Sequence, residues 1–181
     1  MKKIIYTLMA LVTLVGLSSC NKSFPHEGTA TESIAGNWYC SIYYSDGSQW
    51  VEYYYSEFQT FNTAANVASE IWLDDGEGFW GTKCKIDADA SSATFGKEGA
   101  EYFDNYNEVK QKIWGGKVSV DAAKAPNSGS VCDKIEFYIA FEDDDTPYET
   151  TFYVVGYRRT GYPEDNRAYN WDWELPAVPA E

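Results

Sequence analysis

The chain carries one histidine, His26, in a polar stretch near its start. Hydrolytic centres of the Ser-His-Asp or Cys-His kind need a base held within hydrogen-bond reach of the nucleophile. A histidine outside any periodic segment does not meet that requirement, so histidine-dependent catalysis is not expected. A zinc centre of the usual kind lacks its ligands as well, because there is no second histidine and no Cys-x-x-Cys pair. Carboxylates remain. Asp74, Asp75 and Glu77 form one cluster, and Glu142 to Asp145 form another. Paired carboxylates can act as acid and base on glycosides, and their oxygens suit calcium. Both clusters fall where turns are expected, and neither has the spacing of an EF-hand loop. No catalytic residue, metal ligand or cofactor is assigned.

Cys20 offers chemistry of another kind. Lys2 and Lys3 precede an apolar run, Ile4 to Gly16, which is followed by Leu17-Ser18-Ser19-Cys20. The run is too short to span a bilayer and has the length of a signal-peptide core. Together these features look like a bacterial lipoprotein signal. Residues 1–19 would be removed, and Cys20 would carry a diacylglycerol on its thiol and an acyl chain on its amino group. Several chains on one residue anchor a protein stably, where a single chain holds it only marginally. Residues 20–33 contain Pro25 and Gly28, lack periodicity and read as a flexible tether. The protein is therefore expected in the cell envelope, lipid-anchored to the outer membrane. Asn21 is not the aspartate associated with inner-membrane retention, and the periplasmic and surface faces both stay open.

Without residues 1–19 the chain keeps 162 residues, enough for one domain with a real core. Loss of Lys2 and Lys3 leaves 12 Lys+Arg against 28 Asp+Glu, a formal charge of −16. Such a surface repels phosphate backbones and anionic headgroups, which excludes nucleic acid as a partner and leaves the lipid anchor as the only membrane contact. Cys40, Cys84 and Cys132 permit at most one disulfide, so bridges do not hold the domain together. Cys40 and Cys84 sit among apolar residues and read as small buried hydrophobes.

The elements that must position any site are strands. From Ile34 the pattern has period two, with Trp38, Cys40, Ile42 and Tyr44 on one face. Trp50 to Phe61 is a long strand, and Glu70 to Leu73 a short one. Asp74-Asp75-Gly76-Glu77-Gly78 reads as a hairpin turn into a strand from Phe79 to Asp87, with Trp80, Thr82, Cys84 and Ile86 on one face. Val109 to Trp114 is expected to pair with Lys117 to Ala122 through Gly115-Gly116. Lys134 to Glu142 alternates most cleanly, with Ile135, Phe137, Ile139 and Phe141 together, and Tyr148 to Arg159 is the last long strand. Roughly eight to ten strands without a βαβ rhythm define an all-β chain, a sandwich or a closed antiparallel up-and-down β-barrel. The tail, 166–181, carries Trp171, Trp173 and Leu175 on one side of a short strand and is expected to pack on the domain.

Gly36-Asn37-Trp38 at the start of the first long strand resembles the Gly-x-Trp signature of lipocalins, the calycin type of barrel. That resemblance implies a tryptophan plugging the closed end, with Arg158 or Arg159 laid over it by a cation–π contact. Longer stretches are Phe61-Asn62-Thr63-Ala64-Ala65-Asn66, Ile71-Trp72-Leu73-Asp74-Asp75-Gly76 with Gly78-Phe79-Trp80, and Gly156-Tyr157-Arg158-Arg159-Thr160-Gly161-Tyr162-Pro163-Glu164-Asp165. These resemble a Bacteroidetes family of lipocalin-like lipoproteins described as lipid-binding putative hydrolases. The resemblance covers about residues 33–165 and implies a lipocalin-like barrel over residues 34–165. Its hydrolase part carries no catalytic residue onto this chain.

With Trp38 at the base, Ile42 and Tyr44 would line the lumen above it. The same phase places Trp80, Thr82, Phe137, Ile139 and Phe141 on neighbouring walls. The lining suits a small apolar or amphipathic ligand, with Tyr44 and Thr82 as polar fixers. The rival for the interior is a solid packed core. The rival functions are a glycan-binding surface built from Tyr39, Tyr43, Tyr53, Tyr55, Tyr138, Tyr153 and Tyr157, and an accessory subunit of an envelope assembly.

Overall fold

The computed structural model describes residues 28–170 and 172–178. Residues 1–27, with the signal segment, Cys20, His26 and most of the tether, lie outside the described residues, as do Trp171 and residues 179–181. The strands are β1 (Gly36–Ser45), β2 (Trp50–Asn62), β3 (Glu70–Asp74), β4 (Lys83–Asp89), β5 (Thr94–Phe95), β6 (Glu101–Phe103), β7 (Lys110–Lys124), β8 (Val131–Phe141) and β9 (Phe152–Arg158). All pair antiparallel in the order β5-β4-β3-β2-β1-β9-β8-β7-β6, and a β5–β7 pairing closes the ring.

One stave of the ring is built in two pieces. β5 lies between Ala88–Asp89 of β4 and Gly116–Lys117 of β7. Further along the same gap, β6 pairs with Lys110–Lys112 of β7, and Asp104 bridges to Cys84 of β4. With β5 and β6 counted as one stave, every neighbour in the ring is a neighbour in sequence except β1 and β9, the first and last strands, so this is an up-and-down barrel of eight staves. Eight staves enclose an interior that side chains just fill, and closure removes free sheet edges.

The Gly115-Gly116 pair does not turn the chain, contrary to the sequence pattern. It lies inside the single long strand β7, at a register shift between Trp114 and Lys117. Gly115 has φ +63, and a Cβ on Gly116 would come within 2.3 Å of the Phe95 ring. The glycines let the strand bulge and let β5 approach closely, which reads in sequence like a hairpin.

Period-two alternation puts Ile34, Trp38, Cys40, Ile42, Phe58, Ile71, Leu73, Cys84, Ile86, Phe95, Ile113, Ile135, Phe137, Ile139, Phe141 and Val154 into one buried cluster. Fully burying each large apolar side chain is worth about 1.5–3 kcal/mol. Cys40, Cys84 and Cys132 are all free thiols. Residues 29–33, which the sequence assigns to the tether, are ordered. Thr29 and Thr31 carbonyls accept the amides of Glu32 and Ile34, Ser33 Oγ bonds to the Ala90 carbonyl, and Thr31 and Ile34 are fully buried.

The outer wall of β1 and β9 is covered too. Tyr39 and Tyr157 pack with Tyr169 and Trp173, and Tyr43, Tyr153 and Val155 pack with Trp50, Trp173 and Leu175. The tail runs along β1 from one end to the other: Asn166 meets Tyr39, the Asn170 carbonyl accepts Ser41 Oγ at 2.6 Å, and the Pro176 carbonyl accepts Trp50 Nε1 at 2.9 Å. Among its described residues none belongs to a strand. Both edges of β1 are already paired, so the tail docks through side chains instead of a ladder.

Candidate functional site

The two ends of the barrel are built differently. At one end Trp38 is 1% exposed and donates Nε1–H to Thr60 Oγ1 at 2.9 Å, and Thr60 passes its own proton to the Ile34 carbonyl at 2.6 Å. The Arg158 guanidinium lies 4.5 Å from the Trp38 ring centre, bonded to Asp133 at 2.8 Å and to the Ala35 carbonyl. Gly36 must lack a side chain here, since a Cβ would stand 2.6 Å from Arg158 Nη1. Arg159 points away and sits over Tyr39 at 6.0 Å. This end is a hydrogen-bonded stopper.

The other end is covered by the loop from Asp75 to Thr82. The sequence pattern starts a strand at Phe79, but β4 begins at Lys83. The reason is Asp75. Its buried carboxylate accepts the amides of Glu77, Phe79, Trp80, Gly81 and Thr82 at 2.9–3.2 Å. Those bonds compete with a sheet ladder and hold the loop as a compact arch. Gly81, at φ +77, leaves room for the Asn107 amide, which donates to the Trp80 and Gly81 carbonyls. The arch lays two rings over the barrel opening. Trp80 stacks on Phe141 with centroids 4.4 Å apart at 8°, and Phe79 meets Phe141 and Phe152 edge-on at 5.8 and 5.2 Å. Trp80 Nε1–H reaches Asp143 Oδ1 at 3.0 Å.

Beside this lid lies a cleft of about 510 Å³, walled by Tyr44, Tyr53, Trp80 and Phe152 and edged by Asp143, Asp144, Asp145 and Thr150. A second groove of about 460 Å³ lies on the outer wall, between Tyr55, Glu57, Gln59, Arg167 and Tyr169. Of these two, only the first touches rings of the interior cluster.

Of the residues that the sequence assigns to ligand contact, Tyr44 and Trp80 line the mouth cleft, and Phe141 lies directly under Trp80. Thr82 is fully buried at the root of the lid. Trp38, Ile42, Phe137 and Ile139 lie deeper, packed against one another and their neighbours; Phe137 meets Phe58 edge-on at 5.4 Å and Phe95 at 5.7 Å. Sequence reasoning missed Phe79 and Phe152 at the mouth and Gln111 beneath it, and gave Tyr53 to a glycan surface instead. The acid-glycine run ending in Phe79-Trp80 was the available signal for the lid, because aromatic residues straight after a turn invite a place to pack.

The carboxylate clusters have structural work. Asp75 organises the lid. Asp74 pairs with Lys83 at 2.8 Å and accepts Tyr106 OH and the Gly76 amide. Asp144 accepts the amides of Asp145 and Thr150. Among the described residues no group of three or more His, Cys, Asp or Glu side chains is placed to hold a metal ion. Of the seven tyrosines considered for glycan contact, Tyr39, Tyr43, Tyr153 and Tyr157 are buried in the outer-wall clusters that the tail covers, and Tyr53 and Tyr55 are exposed. Tyr138 is half-buried and stacks on Trp114.

An up-and-down barrel with one sealed end and one loop-covered end defines a lipocalin-like protein. Residues 25–163 match the model of a family described as lipid-binding putative hydrolase, and the chain belongs to that family. Among curated proteins nothing matches it.

Proposed function

We propose that the protein binds one amphipathic, lipid-like molecule at the mouth of the barrel, and that it does so while tethered to the outer membrane through acyl chains on Cys20. The observation that carries this reading is the Trp80–Phe141 stack. It is the contact between the lid and the packed interior, and it borders an open cleft. The side chains beneath the lid are buried against one another, and on this reading the ligand's apolar part takes the place of the Phe79 and Trp80 rings against Phe141, Phe152 and Tyr44. Membership of a lipid-binding family supports the ligand class. Asp74, Asp75 and Asp144 are held by structural bonds, and no residue is assigned to the hydrolase part of that description.

Titrating the purified protein with a brominated-acyl lipid tests the reading. Bromine quenches nearby indoles, so saturable quenching at one lipid per protein is expected, and Trp80→Phe should lose a large share of it. Quenching that neither saturates nor depends on Trp80 would refute binding at the mouth. Palmitate labelling in cells, abolished by Cys20→Ala, tests the anchor.

A second reading has one observation in its favour. Tyr54 and Tyr55 are 46% and 49% exposed with rings 7° from parallel, beside the groove that holds Glu57, Gln59 and Arg167. Aromatic faces with mixed polar groups suit sugars. Saccharide binding lost in Tyr55→Ala and kept in Trp80→Phe would favour it.

A further inference from the structure

Two buried polar atoms lie on the wall beneath the lid with no partner among the described residues: Thr82 Oγ1 and Gln111 Nε2. Both residues are 0% exposed. Thr82 stands two residues before the buried Cys84, where its carbonyl accepts the Asp75 amide at 2.9 Å and continues the β3–β4 register by one pair. Gln111 reaches across from β7, where its Oε1 meets Cys84 Sγ at 3.6 Å, and it is paired in register with Phe141, the ring on which Trp80 stacks. An unsatisfied buried polar group costs about 1–3 kcal/mol, and folded proteins seldom tolerate two on one wall without a use for them. A glutamine amide and a threonine hydroxyl can both donate to one acceptor.

Resting on the lipid-binding reading above, we infer that Gln111 and Thr82 form the polar subsite of the mouth, and that it takes a neutral acceptor group, the carbonyl of an acyl ester or amide, in preference to an ionised carboxylate. The charge around the subsite favours a neutral group. Among the described residues no lysine or arginine is buried, whereas Asp74, Asp75 and Asp104 are. The Cys84 thiol registers that surrounding: burial, and then the charges of Asp104 and Asp75, push it up to about 12. Asp143 to Asp145 add negative charge at the rim. A carboxylate entering here would lose its water and meet the charges of Asp75 and Asp104, while the neighbouring Lys83 is already paired with Asp74 at 2.8 Å. An ester carbonyl asks only for donors, and the wall offers two.

The test compares monooleoylglycerol with oleate, the same chain with a neutral or a charged head, as competitors for a fluorescent acyl probe on the purified full chain. Tighter binding of monooleoylglycerol by at least about tenfold is expected. Gln111→Leu and Thr82→Val should each weaken that lipid by about five- to tenfold, the worth of one hydrogen bond, and leave oleate unchanged. Thr82→Val should keep its stability, because its hydroxyl has no partner, and Gln111→Leu gives up only the weak bond from Cys84 Sγ, so both variants should fold. Oleate binding as tightly as the ester would overturn the inference while leaving lipid binding intact. So would undiminished ester binding by both variants, or a lowered melting temperature in Thr82→Val, which would reveal a structural partner for its hydroxyl. Absence of binding by any lipid would sink the broader reading and this one with it.

Discussion

Each end of this barrel is closed by a tryptophan, and the two closures rest on different physics. Trp38 belongs to a strand, is covered by Arg158, and ties its indole N–H into the Thr60–Ile34 relay. Trp80 belongs to a loop, is half-buried, and spends its indole N–H on Asp143 at the rim. The first is held by the sheet itself. The second is held by a carboxylate, Asp75, that gathers five amides of its own loop. A closure built into the ladder opens only when the barrel unfolds. A closure built on a local arch opens for the cost of the arch, and the proposed ligand would enter at the Trp80 end.

The sharpest way to break this contrast is to remove each indole in turn. Trp38→Ala should cost about 3–5 kcal/mol, the range for deleting a buried aromatic side chain, and it leaves Thr60 and Arg158 without their partner. Trp80→Ala should cost about 2 kcal/mol or less and alter lipid binding instead. Thermal unfolding of both variants measures the difference. Equal losses would mean that Trp80 is as much a part of the core as Trp38, and the mouth would not be a gate.

A smaller effect should follow from Asp75→Ala. Five amides would lose their charged acceptor, and hydrogen bonds to a charged group are worth about 1.5–3 kcal/mol each before the loop relaxes into water. Because the loop can relax, the global loss should stay near 2 kcal/mol. Hydrogen exchange should rise for residues 77–82 and stay unchanged for residues 36–42 of β1. Uniform acceleration in both places would show that lid and barrel open together.

The same contrast explains what was legible in the sequence. Strands whose inward residues are all apolar announce themselves, as β1 and β8 do through Trp38-Cys40-Ile42 and Ile135-Phe137-Ile139-Phe141. The stopper entered through the Gly-x-Trp resemblance, which left Arg158 and Arg159 both open as its cover, and only the packing of β9 against β1 places Arg158 over Trp38 and Arg159 over Tyr39. The lid was not legible. Phe79 to Thr82 has the composition of a strand, and only the capture of its amides by Asp75 keeps it out of the sheet. β7 misled in the opposite direction, since Gly115-Gly116 looks like a turn until Phe95 is seen to need the space. Gln111 was invisible for a plainer reason. Between Lys110 and Lys112 it reads as one more solvated polar residue, and nothing local says that it points inward. The tail's aromatics were visible, but their place along β1 depends on which outer wall lacks cover.

Asp165 sharpens the comparison at the sealed end, where the tail begins. Its buried carboxylate accepts Ser128 N at 2.9 Å, Ser128 Oγ at 2.6 Å and Thr160 Oγ1 at 2.7 Å, joining the β7–β8 loop to the chain leaving β9. Burial pushes this carboxyl up, but the bonds from Ser128 and Thr160 outweigh it and hold the group below its ordinary range. A pKa lowered by folding means that the folded state gains from the charged form. That gain is fully present above the unfolded value, about 3.9, and is lost as pH falls through the folded one. Asp165→Asn should therefore lower the melting temperature by a few degrees at pH 7, with the gap from the parent protein closing below about pH 4. Tail docking should weaken with it, seen as faster exchange at residues 166–170 while the Asp75 arch at the mouth keeps its protection. A gap that stays constant down to pH 3 would mean that the Asp165 side chain acts by shape alone, and that the sealed end does not depend on its charge.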